Sequence, residues 1–340
     1  MKKKTILISI LAGVLVLALI LTAFITMKPT PNISSSSSKK ASTSSTAASS
    51  SAATSSSFTK TNTDDPTEDP ALATVLSEVQ SKYQKLSYTD DATGVTLNYY
   101  LYVPENYDKN TKYPLISFIH DDSVTGKGME NALTQGYGGV IWATEAEQKK
   151  HASFVLVPYF ETSTIAGGAG QSGSEVVEAQ VQTYYDLLQK LQKEYSIDAD
   201  RLYQTGQSMG GMTAFYLNSK YPDLFAATLY VSSQWDVNQL KPLENQKFFY
   251  IVSGADKTAS GGQTDLMNLF NTDGITYSTA QWDPTADAAT KNTVANEMIN
   301  KNTNQNFVQW SGNLSHNESF DYGYTVPAVR DWLFNQSKAN

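Results

Sequence analysis

The chain has 340 residues, of which 40% are hydrophobic, and a formal net charge of −8 at neutral pH. It contains no cysteine, which excludes disulfides, thiolate metal sites and a cysteine nucleophile, and its 3 histidines nearly exclude a histidine-rich metal site. The negative charge argues against nucleic acid as a partner, whereas the hydrophobic content is enough for one sizeable core.

The first 30 residues have the pattern of a membrane segment. Three lysines at positions 2–4 precede an uncharged apolar run over residues 5–27, which is long enough to span a bilayer as a helix. No clear Ala-x-Ala cleavage site follows, and the lysines favour a cytoplasmic N-terminus. We therefore predict a signal-anchor over 1–30 with the rest of the chain outside the membrane. The alternative is a long, cleaved signal peptide and a secreted protein.

Residues 31–70 have the composition of a linker. Residues 33–60 are almost all serine, threonine and alanine, and residues 61–70 are rich in aspartate, threonine and proline. Such a stretch cannot bury enough apolar surface to fold, and it is typical of a flexible stalk. We predict a disordered linker over 31–70 and a folded catalytic domain over 71–340.

The remaining chain alternates strand-like and helix-like patterns. Helices are predicted over residues 73–86, 174–195, 210–221 and 325–334. Strands are predicted over residues 96–103, 114–119, 154–158, 201–205, 226–232, 248–253, 277–282 and 306–310, with a turn at 198–201. Continuous apolar runs such as 114–119 are typical of parallel strands buried on both faces. The order predicts an α/β fold with a mainly parallel central sheet and helices on both faces.

The five residues from Gly206 to Gly210 read Gly-Gln-Ser-Met-Gly, between a predicted strand and a predicted helix. The pattern Gly-x-Ser-x-Gly is weak alone, but in this context it is typical of the nucleophile elbow of an α/β-hydrolase. Glycines on either side let the strand and the helix approach closely around a strained serine. Ser208 is therefore the candidate nucleophile.

The order of residues in this fold selects the candidate base. The nucleophile is followed along the chain by an acid and then by a histidine. His120 and His151 precede Ser208, so only His316 qualifies, and it lies in a polar loop after the last predicted strand.

The candidate acid is Asp256, which follows the predicted strand over 248–253. Its role would be to accept the imidazole N–H and to stabilise the imidazolium. Asp256 could instead only cap a turn. Asp236 and Asp283, which also follow predicted strands, are the reserve candidates.

An oxyanion hole requires two backbone N–H donors. Met209, directly after the nucleophile, is expected to supply one, and Asp122, in the loop after the strand over 114–119, the other. A carboxylate facing the oxyanion would repel it, so we expect the side chains of Asp121 and Asp122 to point outward.

At these residues the chain resembles the α/β-hydrolase-fold serine esterases, in particular a secreted bacterial group of esterases and predicted peptidases related to feruloyl and acetyl xylan esterases. The resemblance extends from roughly residue 75 to the end of the chain. It is carried by residues 118–126, 135–143, 197–211, 315–322 and 326–334.

The resemblance implies Ser208 as nucleophile, Asp256 as acid and His316 as base. It also implies a bacterial cell-envelope location and a small-molecule or polysaccharide-linked ester as substrate. Two features depart from the family pattern. Asp256 follows Gly254 one residue sooner than usual, and Asp121 stands where many hydrolases have glycine.

Two other functions remain open at this point: a serine peptidase of the same fold, and a non-catalytic surface binding protein on a hydrolase scaffold. The serine mechanism requires no cofactor and no metal. Five aromatic residues in or near loops could line an acyl pocket, although packing is the commoner role for each. They are Tyr159, Trp235, Trp282, Tyr322 and Tyr324.

Overall fold

The computed structural model describes residues 69–168 and 174–339. The predicted membrane segment and the predicted linker up to residue 68 lie outside the described residues. Within the two described ranges, no helix is long and apolar enough to cross a membrane.

A nine-stranded sheet forms the centre of the molecule, with the strand order β1-β2-β4-β3-β5-β6-β7-β9-β8. The strands are β1 Gln84–Thr89, β2 Thr96–Tyr102, β3 Tyr113–Ile119, β4 Phe154–Tyr159, β5 Ile197–Gln207, β6 Ala227–Val231, β7 Phe248–Ser253, β8 Ser278–Trp282 and β9 Gln305–Trp310. Only the pairs β1–β2 and β2–β4 are antiparallel. The prediction of a mainly parallel sheet is therefore confirmed.

Helices cover both faces of this sheet. They are α1 Leu72–Val79, α2 Glu130–Thr134, α3 Glu145–Lys150, α4 Glu178–Glu194, α5 Met209–Lys220, α6 Lys257–Asp273, α7 Ala288–Ile299, α8 Ser319–Tyr324 and α9 Pro327–Phe334. Alternate side chains of one strand enter opposite core layers, because side chains of a strand alternate between its faces. In β3, Ile116 and Phe118 pack with residues of α1, α7 and α9, whereas Leu115 and Ile119 pack with residues of α4 and α5.

The predicted helix over 73–86 is wrong beyond Val79. The chain makes a 3-10 turn at Gln80–Lys82 and then forms the edge strand β1. This strand pairs with β2 along its whole length, from Gln84 opposite Leu101 to Thr89 opposite Thr96. Pairing with a strand that is distant in sequence outweighs the local helical spacing.

The predicted turn over 198–201 lies inside β5, which begins at Ile197. The pairing of β5 with β3 shifts between Tyr113 and Leu115, so the segment bulges. The Asp198 carboxylate accepts hydrogen bonds from the Asp200 N–H and from the Arg201 side chain. The turn chemistry is therefore present, but within a bulged strand.

The parallel strands β3 to β9 all end at one edge of the sheet. The loops that follow β3, β5, β7 and β9 carry Asp122, Ser208, Asp256 and His316, respectively. Ligand sites of open parallel sheets lie beyond the carboxyl ends of the strands.

Candidate active site

Ser208 forms a strained turn between β5 and α5. Its backbone has φ 48° and ψ −116°, a region that costs energy for a residue with a side chain. A Cβ on Gly206 would lie 2.5 Å from the Gly210 carbonyl carbon, and a Cβ on Gly210 would overlap the backbone of Ile119. Both positions require glycine because β3, β5 and α5 approach so closely here.

Ser208, His316 and Asp256 form one hydrogen-bonded chain. The His316 Nε2 atom lies 2.8 Å from the Ser208 Oγ, and the His316 Nδ1 atom lies 2.5 Å from the Asp256 Oδ2. An ionised carboxylate can only accept, so Nδ1 carries the imidazole proton and Nε2 accepts from the serine hydroxyl. This is the arrangement in which an imidazole can remove the proton of a serine nucleophile.

The Asp256 carboxylate also caps helix α6. Its Oδ1 accepts the N–H groups of Thr258 and Ala259, at 3.1 and 3.2 Å, while Oδ2 faces His316. Partial burial acts to raise the pKa of Asp256, but the hydrogen bond from His316 and the two backbone N–H groups outweigh it and hold the pKa below its ordinary value. Asp256 is therefore ionised at neutral pH. The cap and the contact with His316 occur together.

Three buried serines hold the loop that carries His316. Ser253 Oγ donates to the Leu314 carbonyl, and Ser319 Oγ donates to the His316 carbonyl, both at 2.7 Å. Ser232 Oγ lies 2.5 Å from Ser319 Oγ and must be the donor there, since Ser319 has already used its one hydroxyl hydrogen. No sequence pattern marks these serines, because they are isolated residues that only the tertiary fold brings to the loop.

The two expected oxyanion donors lie at the first positions of helices. Met209 begins α5, and Asp122 begins a 3-10 turn over Asp122–Val124. The first N–H groups of a helix have no partner within it. Neither N–H donates to another residue in the described part of the chain, so a ligand oxygen would not have to displace a hydrogen bond from either group.

The expectation that the side chains of Asp121 and Asp122 point outward is wrong for Asp121. Asp121 is only 6% exposed, and its carboxylate accepts from the Ser123 N–H and the Gln207 side chain. One carboxylate oxygen of Asp122 is also buried and has no hydrogen-bond partner among the described residues. The Asp121 carboxylate turns inward because two donors lie there.

The other two histidines have separate structural contacts. His120 is buried, with its Nδ1–H donating to the Asp121 carbonyl and its Nε2 accepting the Phe160 N–H. Burial lowers the pKa of His120, so it is a neutral link between the loops after β3 and β4. His151 bonds Asp331 through Nε2 at 2.8 Å.

The two alternative acids, Asp236 and Asp283, form hydrogen bonds within their own turns. Asp236 accepts from the N–H of Asn238, and Asp283 accepts from the N–H of Thr285. Among the five aromatic candidates, four are buried and pack in the core, and Tyr322 is partly exposed.

Glu147, His151 and Asp331 bring potential ligand atoms within 4.8 Å of one another. Cations of the chain already occupy this cluster. Arg330 lies 2.9 Å from Glu147, and Lys150 lies 3.6 Å from Asp331. The cluster therefore has the character of an ion-pair network and not of a metal site.

Comparisons with known proteins find esterases among the relatives of this chain. Acetylxylan esterase A of Aspergillus ficuum is 28% identical over 149 residues, which cover 42% of this chain and 44% of that protein. The alignment thus spans less than half the length of this curated relative.

Solved structures share the fold at low sequence identity. A thermostable esterase superposes with a TM-score of 0.60 at 21% identity, over 76% of this chain and 64% of that one. A mutant feruloyl esterase module from Clostridium thermocellum, complexed with sinapinate, gives a TM-score of 0.53 at 15% identity, over 79% and 94% of the two chains. These likenesses show an α/β-hydrolase fold.

A match to a family model covers most of the chain and shows the family to which the chain belongs. The family model described as "Putative esterase" matches residues 91–319, which include all five residues of the candidate site. The chain therefore belongs to the Putative esterase family.

Proposed function

We propose that the protein is a serine hydrolase that cleaves carboxylic esters through an acyl-enzyme on Ser208. The observation that carries this proposal is the hydrogen-bonded chain Ser208–His316–Asp256, with contacts of 2.8 and 2.5 Å. Membership of the Putative esterase family supports the choice of an ester as substrate.

In the first half of the reaction, Ser208 Oγ attacks the ester carbonyl carbon while its proton moves to His316 Nε2. Asp256 holds the Nδ1–H and stabilises the imidazolium that forms. The N–H groups of Met209 and Asp122 bind the negative oxygen of the tetrahedral intermediate. The intermediate then collapses, His316 returns the proton to the alcohol oxygen, and the alcohol leaves.

In the second half, a water molecule takes the place of the alcohol. His316 removes a proton from this water, whose oxygen attacks the acyl carbonyl. The second intermediate releases the carboxylic acid, and the proton returns to Ser208 Oγ. No step requires a metal or a cofactor.

The experiment compares the wild type with Ser208→Ala on a simple aryl ester and with a fluorophosphonate probe. We expect Ser208→Ala to lose nearly all turnover and all labelling. Ser87→Ala, on the exposed edge strand β1, is the matched control and should leave both unchanged. Full hydrolysis by Ser208→Ala would contradict the mechanism. A wild type that is neither labelled nor active would favour a binding protein.

We infer that the acyl group sits on a polysaccharide or on a smaller alcohol derived from one. The names of the acetylxylan esterase relative and of the feruloyl esterase module support this class. Acetylated xylan and a feruloylated oligosaccharide compared under the same conditions test it. A preference of kcat/KM for either ester over a long-chain fatty acyl ester is expected, and a preference for the fatty acyl ester would contradict the inference.

We also infer that the domain works outside the cytoplasmic membrane. The inference rests on the sequence pattern of residues 1–70, with its lysines, apolar run and serine-rich stretch. Protease added to intact cells should remove the activity, and activity that resists protease until the cells are lysed would contradict this location.

A further inference from the structure

The side chain just before the nucleophile is buried, and its amide nitrogen donates two hydrogen bonds. Gln207 is 2% exposed, and its Nε2 donates to the Asp121 Oδ2 at 2.9 Å and to the Gln135 Oε1 at 3.0 Å. Gln207 is covalently joined to Ser208, whereas Asp121 belongs to the loop after β3. One hydrogen bond therefore connects the elbow directly to the loop that holds Asp122.

The same carboxylate also shapes that loop. The Asp121 Oδ1 accepts the Ser123 N–H at 2.8 Å and so caps the 3-10 turn over Asp122–Val124. This cap engages the second N–H of the turn and leaves the first, that of Asp122, without an acceptor among the described residues. Each oxygen thus has a different function. The Asp121 Oδ1 bonds within the turn, and the Asp121 Oδ2 bonds the turn to Gln207, next to Ser208.

We propose that Asp121 is a positioning residue that holds the Asp122 N–H in place as an oxyanion donor, through its hydrogen bond to Gln207. The proposal rests on the proposed serine mechanism. Many hydrolases have a glycine at this position, and here a buried carboxylate with two donors fixes the loop. Hydrogen bonds to a carboxylate are stronger than neutral ones, and an oxyanion donor acts only if it is placed before the reaction begins.

The negative charge of Asp121 opposes the benefit of its positioning role. A carboxylate close to an oxyanion destabilises it by Coulomb repulsion. The two hydrogen bonds direct the carboxylate toward Ser123 and Gln207, and they disperse part of its charge. If repulsion were the larger effect, removing the carboxylate would increase kcat. If positioning is larger, removal decreases kcat.

The pair Asp121–Gln207 allows a test in which donor and acceptor are exchanged. Asp121→Ala removes the bond, and Gln207→Glu sets two carboxylates against each other. In the double variant Asp121→Asn with Gln207→Glu, an amide N–H can donate to a carboxylate, so the bond returns in reverse. The double variant also has the net charge of the wild type.

The measurement is kcat and KM on an aryl ester for the wild type, the single variants Asp121→Ala, Asp121→Asn and Gln207→Glu, and the double variant. We expect kcat to fall at least about 10-fold in Asp121→Ala and in Gln207→Glu, with KM within about threefold, because an oxyanion donor acts mainly in the transition state. The double variant should recover to within a few-fold of the wild type. A merely structural role would change thermal unfolding and KM together.

The inference is overturned if Asp121→Ala keeps or exceeds the wild-type kcat, or if the double variant shows only the product of the two single-variant losses. Ser208→Ala, run beside these variants, separates the two proposals. If Ser208→Ala remains active, the serine mechanism fails and this inference fails with it. If Ser208→Ala is inactive while Asp121→Ala is fully active, only the positioning role is lost.

Discussion

At the scale of single residues, the carboxylate of Asp256 bonds two separate partners, the N-terminus of α6 and the imidazole of His316. Its Oδ1 accepts from the N–H groups of the second and third residues of α6, Thr258 and Ala259, and its Oδ2 accepts the Nδ1–H of His316. The helix N-terminus favours the ionised carboxylate, and the ionised carboxylate fixes the imidazole tautomer. Capping of α6 and orientation of His316 are therefore two effects of one charge, and a suitable substitution can separate them.

We predict that Asp256→Asn lowers kcat roughly 10³–10⁴-fold while stability changes by less than about 1 kcal/mol. Asparagine is a good helix cap, but its amide favours the wrong imidazole tautomer. Asp236→Asn is the matched control, because Asp236 caps a 3-10 turn without contacting His316, and it should retain full activity. Equal kcat values for Asp256→Asn and the wild type would rule out the assigned acid.

Asp321 and Asp331 provide opposite pH effects on stability. Burial raises the pKa of Asp321, which accepts a backbone bond from Tyr137. Partial burial also acts to raise the pKa of Asp331, but the His151 hydrogen bond and the nearby cations outweigh it and lower the pKa. A raised folded-state pKa means that stability is lost as the pH rises through it, and a lowered one means that stability is lost as the pH falls through it.

We therefore predict that Asp321→Asn stabilises the protein at pH 7, by about 1 kcal/mol or less, and that this gain disappears below the ordinary aspartate pKa of about 4. Asp331→Asn should destabilise at pH 7, and that loss should shrink at acidic pH. Urea unfolding at both pH values measures the two variants. A gain from Asp321→Asn that persists unchanged at acidic pH would show that ionisation is not its cause.

At the scale of elements, α6 contains two adjacent glycines with different surroundings. A Cβ on Gly261 would meet nothing within 4 Å, whereas a Cβ on Gly262 would overlap the side chain of Gln234. Glycine inside a helix is destabilising relative to alanine, because more backbone freedom is lost on folding. Replacing either glycine with alanine should therefore give the same stabilisation from reduced backbone freedom, but only the substitution at Gly262 should cause a steric clash.

We predict that Gly261→Ala raises the free energy of unfolding by about 0.5–1 kcal/mol. Gly262→Ala should cancel this gain or reverse it, because Gln234 must move. Thermal and urea unfolding of both variants provide the measurement. Equal stabilisation by the two substitutions would mean that α6 does not lie against Gln234 as described.

The elements also show how far the sequence could predict the fold. Apolar runs indicate buried strands such as β3 and β7. The Gly-x-Ser-x-Gly pattern indicates Ser208, and the order rule selects His316 from the 3 histidines. Helices α6 and α7 are not predictable from an apolar stripe, because polar side chains make up much of both segments. The partners of Asp121 are also not predictable from the sequence, because its contact with Gln207 joins residues 86 positions apart.

At the scale of the whole molecule, Arg330 joins the beginning and the end of the described chain. It is 1% exposed and donates to both carboxylate oxygens of Asp69, at 2.7 and 2.8 Å, and to Glu147 at 2.9 Å. Burial acts to lower the pKa of Arg330, but Asp69 and Glu147 outweigh it and raise the pKa. Buried charges remain tolerable only while they are paired.

We predict that Arg330→Met destabilises the protein by about 3–5 kcal/mol. It removes the buried guanidinium that bonds both Asp69 and Glu147, and it leaves buried Glu147 with only the more distant Lys150, at 3.9 Å, among its cations in the described chain. Arg201→Met is the matched control. Arg201 pairs with Asp198 near the surface, and its loss should cost about 1 kcal/mol or less. Comparable losses for the two variants in urea unfolding would contradict the importance assigned to the Arg330 cluster.

The central claim, an acyl-enzyme on Ser208, has one direct measurement. The wild type is mixed with an aryl acetate, quenched in acid during turnover, digested and analysed by mass spectrometry. We predict that one acetyl group is found on the peptide that contains Ser208, and that it disappears once the substrate is exhausted. Continued turnover with no acetyl group on Ser208, or with the acetyl group on another residue, would contradict the account.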